Sequence, residues 1–206
     1  MTAELPPDPA VVAAHAAVQA DTERVLRAWA APDLGQSALC EAFLGLLAAR
    51  PDATARSCGP GHVTASAVVL SADLRSVLLT LHRRLGLWLQ LGGHCEPGDG
   101  TLLGAAAREA TEESGLTGLM PVLVDGTPAP VHLDVHPITC SLGRPTRHFD
   151  VRYVFVAGPG AVPIISDESS DVAFHRVDAL PTGATGVDAS VRAAVTAALT
   201  RVRPGG

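Results

Sequence analysis

The chain has 206 residues, 47% hydrophobic and 17% charged, enough apolar content to bury a sizeable core and too much for a disordered chain. A net charge of −6, with arginine as the entire basic complement and no lysine, argues against generic nucleic-acid binding, which needs a basic surface. No apolar run reaches membrane-spanning length, the N-terminus has no signal-type charged region and core, and the four cysteines form no Cys-x-x-Cys pair. A cytoplasmic protein with free thiols is expected.

Asp8-Pro9 is a helix start, with aspartate as N-cap and proline in the first turn. Val11, Val18, Val25, Leu26 and Trp29 then recur at helical spacing, until Ala31-Pro32-Asp33 breaks the run. A second helix is predicted from about Ser37, with Leu39, Phe43, Leu46 and Leu47 on one stripe, ending at Arg50-Pro51. Residues 1–58 therefore read as a helical hairpin ahead of a second domain, 59–206. It is either a packing extension or a lid or dimerisation element.

From Gly61 the pattern changes to strands: Val63 to Leu70 and Val77 to Leu81, joined by a turn at Ser71-Ala72-Asp73, then Leu87 to Gln90. A helix is expected from about Leu102 to Ser114, with Gly115 as its C-cap. Further strands are expected near Pro121–Val124, Val131–Ile138, Phe149–Val156 and Ala173–Arg176, before a last helix over Asp188–Val202. Strands with helices between and after them make an α/β fold in which a sheet packs between helices.

The chemistry concentrates between Gly92 and Leu116. On the predicted helix Glu109, Glu112 and Glu113 share a face, and three like charges there call for a cation among them. Oxygen donors suit hard ions such as Mg²⁺ or Mn²⁺. Upstream, Gly92-Gly93 lets the backbone approach a metal or phosphate, and Glu96-Pro97-Gly98-Asp99-Gly100 reads as a turn.

This segment resembles the Nudix box: a glycine, five residues, a glutamate, seven residues, then Arg-Glu-aliphatic-any-Glu-Glu-any-Gly-aliphatic. From Gly93 the match holds through Arg108, Glu109, Glu112, Glu113, Gly115 and Leu116. The chain departs at Asp99, which replaces the loop glutamate, at one extra residue before Arg108, and at the small Ala110.

The resemblance implies an α/β/α sandwich with a mixed sheet, and a Mg²⁺-dependent hydrolase (Mn²⁺ as substitute) that cleaves a diphosphate linkage in a nucleoside diphosphate derivative. It implies Glu112 and Glu113 as metal ligands, Glu109 as ligand or general base, and Arg108 paired with the loop acid Asp99. A further ligand is expected at Glu168, in the late acidic loop before Phe174. The alternative is a weak or inactive Nudix domain that binds nucleotides as a regulatory module, because of Asp99 and the altered spacing. A small nucleotide-like substrate and a homodimer are the expected partners.

Two polar rows add candidates. His132, Asp134 and His136 alternate with apolar residues on one strand, and His148, Asp150 and Arg152 do so on another. If the strands are neighbours, this face lines a ligand pocket, with Arg152 on a phosphate and His148 beside it, or it is a solvated sheet face. Zinc has no support from metal-ligand spacing. Glu96 is either part of the site loop or a solvated turn residue.

Overall fold

The structure is a computed structural model, which describes residues 6–139, 143, 145–166 and 169–203. Helix α1 spans Pro9–Ala28; its N-cap Asp8 accepts the Ala10 N–H at 2.8 Å. Helix α2 spans Leu34–Ala49 and begins three residues before the expected Ser37. The reason is Asp33, whose side chain accepts the Gln36 N–H at 2.8 Å and caps the helix there.

The strands follow as β1 (His62–Leu70), β2 (Ser76–His82), β3 (Trp88–Leu89) and β4 (Leu91–His94). Helix α3 covers Leu102–Ser114, and β5 (Met120–Pro121), β6 (Leu123–Val124) and β7 (Thr127–Pro128) are short. Then come β8 (His132–Thr139), β9 (Pro145–Val156), β10 (Ser169–Arg176) and α4 (Ala189–Val202), whose N-cap is Asp188. The expected strand at Leu87–Gln90 is the shorter Trp88–Leu89, and Gly92-Gly93 lies inside a further strand, Leu91–His94, rather than in a loop.

Eight strands form one sheet, with the path β10-β2-β1-β9-β5; β3 pairs with β2, β4 with β1 and β8 with β9. The β1–β2 and β2–β10 pairs are antiparallel. β1 and β9 run the same way: Thr64 meets Asp150 near one end, and Leu70 accepts the Ala157 N–H at the other. The sheet is therefore mixed, as expected, and the fold is the α/β fold with two helices ahead of the sheet.

Contacts divide the chain into two compact units. One holds residues up to 65, 94–105 and 133–151. There Val18, Leu26, Phe43 and Leu47 are buried, and Phe43 meets Phe149 edge-on at 5.1 Å, a contact worth about 1 kcal/mol beyond its area. Gly61 lies beneath Phe149, where an added Cβ would come within 2.6 Å of the ring. Gln36 ties α2 to β8, donating to the Leu133 carbonyl at 3.0 Å and accepting its N–H at 2.7 Å.

The other unit holds 66–93, 106–132 and 152 onward. Its core joins Val68, Leu70, Val77 and Leu79 of the sheet to Val191, Ala194, Val195 and Ala198 of α4. Those α4 positions recur at helical spacing, and small alanines let the helix lie close to the sheet.

Candidate active site

Helix α3 carries the carboxylates. Its first turn is capped twice: Thr101 Oγ1 accepts the Gly104 N–H at 3.1 Å, and Asp21 of α1 accepts the Leu102 N–H at 2.8 Å. Its last turn closes at Gly115, whose φ of +66° suits glycine and whose N–H reaches the Thr111 carbonyl at 2.8 Å.

Glu109, Glu112 and Glu113 come together as the helical spacing predicts, two of them on Arg108 and the third on a backbone amide. Arg108 Nη1 donates to Glu109 Oε1 at 3.1 Å and to Glu112 Oε2 at 2.9 Å. Glu113 Oε2 accepts the Gly92 N–H at 2.9 Å, an arrangement that uses the glycine's φ of +147°. Glu109 lies against Gly93, and a Cβ on Gly93 would stand 2.7 Å from the carboxylate carbon and from both its oxygens. The paired glycines thus seat two of the three glutamates. Glu112 is the outermost, with its side chain 57% exposed against 16% for Glu109.

Two of the three carboxylates share one guanidinium here, which leaves formal negative charge concentrated on oxygen donors. That donor set fits a hard divalent cation such as Mg²⁺. Asp99 accepts the Glu96 N–H at 2.7 Å and so closes the turn between them. Glu168 lies outside the described residues.

The two polar rows are on neighbouring strands, β8 and β9, and the second row is not a solvated face. Asp150 and Arg152 are each 2% exposed. Arg152 Nη1 donates to Ser190 at the start of α4, at 2.8 Å to Oγ and 3.0 Å to the carbonyl, and lies 3.4 Å from His132 Nδ1. Asp150 accepts from Thr64 at 3.1 Å. His148 packs among the rings of His62, His94 and His136. Residue parity separated the rows from the apolar core but did not show what covers them.

A cavity of about 450 Å³ opens beside the α1–α2 connection, lined in part by Leu26, Trp29, Leu34 and Cys40. It holds none of the predicted site residues. Among the described residues no helix is long and apolar enough to cross a membrane.

The family model for the NUDIX domain matches residues 60–195, a stretch containing every box position. The chain belongs to the Nudix family. It is accordingly a hydrolase of the type that acts on phosphorus-containing acid anhydrides. Among solved structures, a NUDIX-family hydrolase from Clostridium perfringens is 22% identical, with a TM-score of 0.52, over 69% of this chain and 98% of that one. The E. coli dihydroneopterin triphosphate pyrophosphohydrolase is 21% identical, with a TM-score of 0.47, over 65% and 91%. A C. elegans Ap4A hydrolase is 17% identical, with a TM-score of 0.43, over 56% and 80%. The Clostridium protein supports the Nudix fold; no curated protein matches the chain at a significant level.

Proposed function

We propose that this Nudix domain is a Mg²⁺-dependent enzyme that cleaves a diphosphate linkage in a nucleoside diphosphate derivative. The observation that carries the reading is the seating of Glu109 and Glu113 on Gly93 and Gly92, which crowds carboxylates around glycine backbone. Without a cation this crowding is repulsive, and a binding module would have no need of it.

Glu112 and Glu113 are the proposed metal ligands, with Glu109 as ligand or base and Glu168 as a further ligand from the late loop. When bound, Mg²⁺ supplies charge neutralisation on the diphosphate oxygens and lowers the pKa of water. A carboxylate of the set takes the proton from the attacking water, a contribution of roughly 10²–10⁴-fold. Arg108 holds Glu109 and Glu112 in register, and its pairing with Asp99 would fix the turn before α3. Gly92 and Gly93 make room for the Glu113 and Glu109 side chains, and Glu96 belongs to the turn that Asp99 closes. The same reading places the enzyme in the cytoplasm as a homodimer.

The test is a screen of nucleoside diphosphate derivatives with Mg²⁺, following monophosphate release, for the wild type and Glu112→Gln. A loss of about 100-fold or more with unchanged folding is expected. Turnover within a few-fold of wild type would sink the assignment of α3. Tight nucleotide binding without turnover by the wild type would make the domain a regulatory module instead.

A further inference from the structure

Three histidines far apart in the sequence meet in one place. His62 begins β1, His94 ends β4 and His148 lies on β9, all within one compact unit. One donor atom of each lies within 4.8 Å of the others, and His62 is fully buried. The ring centroids are 4.9–5.0 Å apart. Each comes from a separate strand of one sheet, so the backbone fixes their convergence.

We infer that His62, His94 and His148 bind one divalent transition-metal ion, Zn²⁺ or an ion of similar softness, through one ring nitrogen each. Nitrogen donors of this kind favour Zn²⁺, Co²⁺, Ni²⁺ or Cu²⁺ over Mg²⁺, so the site is chemically distinct from the carboxylates of α3. Tetrahedral Zn²⁺ with bonds of about 2.0–2.1 Å sets donors roughly 3.4 Å apart, so closing the site takes about 1 Å of side-chain movement. Three protein ligands leave a fourth position for water or a ligand oxygen.

The surroundings fit a neutral imidazole set, the form that ligates metal. His62 is buried and His94 and His148 are half-buried, surroundings that disfavour the charged imidazolium. Asp150 beside His148 supplies a compensating carboxylate, while Arg56, exposed to solvent, opposes it. Outside the triad, His136 stands 5.3 Å from His148 and pairs with Asp134 at 2.7 Å, placing a carboxylate–imidazole pair next to the site. Cys58, close to His62, is not among the donors that converge within 4.8 Å.

The test uses the full chain, stripped with chelator and held in excess Mg²⁺, with Co²⁺ as a spectroscopic probe and Zn²⁺ as competitor. One equivalent of Co²⁺ with visible ligand-field absorption, displaced by Zn²⁺ and accompanied by a higher melting temperature, is expected. His94→Ala and His148→Ala should each weaken binding more than about 100-fold, since even outer-sphere partners are worth 10–100-fold. Glu112→Gln, which tests the α3 site, should leave it unchanged. Absence of stoichiometric Co²⁺ binding by the wild type would overturn the inference and leave a packed trio of neutral rings. So would binding lost with Glu112→Gln and kept in the histidine variants. Anomalous scattering from zinc-loaded wild-type crystals decides the matter should both alanine variants fail to fold: a peak bonded to the three rings supports the site, and a peak elsewhere overturns it.

Discussion

Asp21, in the middle of α1, accepts the backbone N–H of Leu102, the first residue of α3, across 81 positions of sequence. The helical hairpin therefore completes the N-terminus of the helix that carries the box, in a region where orphan amides need a partner.

Asp21→Ala should cost about 1 kcal/mol, the usual value of a lost cap, and lower the melting temperature by a few degrees. Removing residues 1–58 takes away this cap and bares the faces of β8 and β9 that Gln36 and Phe43 cover. Aggregation of the truncated chain is the expected outcome, read by size-exclusion chromatography. A monodisperse, fully active fragment would show that the hairpin is dispensable.

Gly93→Ala should separate stability from activity. The added methyl meets the end of a flexible side chain, so the Glu109 carboxylate can swing aside with little loss of melting temperature. Displaced from that seat, Glu109 no longer serves the site. A fall in turnover of about tenfold or more, with a nearly unchanged melting curve, is expected. Unaltered turnover would mean that the seat has no catalytic role.

Arg152→Ala removes charge-assisted bonds to Ser190 from a buried position and leaves a void beneath α4. A loss of about 3 kcal/mol is expected from denaturant unfolding. The competing outcome is a raised KM with unchanged stability, which would assign the guanidinium to substrate phosphate after all.

Arg50 grips Asp52 through two bonds of 2.8 and 2.9 Å, and the first of its effects is to hold the Asp52 carboxyl below its ordinary value of 3.8. The folded form thus binds fewer protons than the unfolded one near that value. This stabilisation is complete above pH 3.8 and is lost as pH falls below it. Asp52→Asn should lower stability at neutral pH and flatten the acid limb of a stability–pH curve. An identical acid limb would show that the pair contributes nothing.

Cys58 and Cys40 are both buried, and burial raises both thiols, Cys58 to about 12. At pH 8 neither presents a thiolate. Iodoacetamide should leave both unlabelled in the native protein and label both after denaturation, as read by peptide mass spectrometry.

Local signals carried most of the reading. The bounds of α3 coincide with the expected helix, since box spacing and Gly115 mark its course and end. The start of α2 shifted because Asp33, taken as part of a helix breaker, is a cap. The strand expected at Leu87–Gln90 is followed by a second at Leu91–His94 because the two take different partners, β2 and β1, which alternation cannot show. The histidine trio was invisible for the same kind of reason: its members come from β1, β4 and β9, with no metal-ligand interval between any two of them. Parity showed that Arg152 differs from Tyr153 and Phe155, yet the ceiling over it is α4, whose packing no local pattern encodes.

The parallel course of β1 and β9 has a consequence for how this protein can be divided. Parallel neighbours cannot be joined by a hairpin, and the connection between these two contains β2, the glycine strand, α3 and β8. The box segment is thus a passenger inside a crossover. A chain stopped before Pro145 would hold Gly92 through Leu116 intact and still lack the strand beside β1. The box is not a portable cassette, and transplanting it into another host would require both flanking rails.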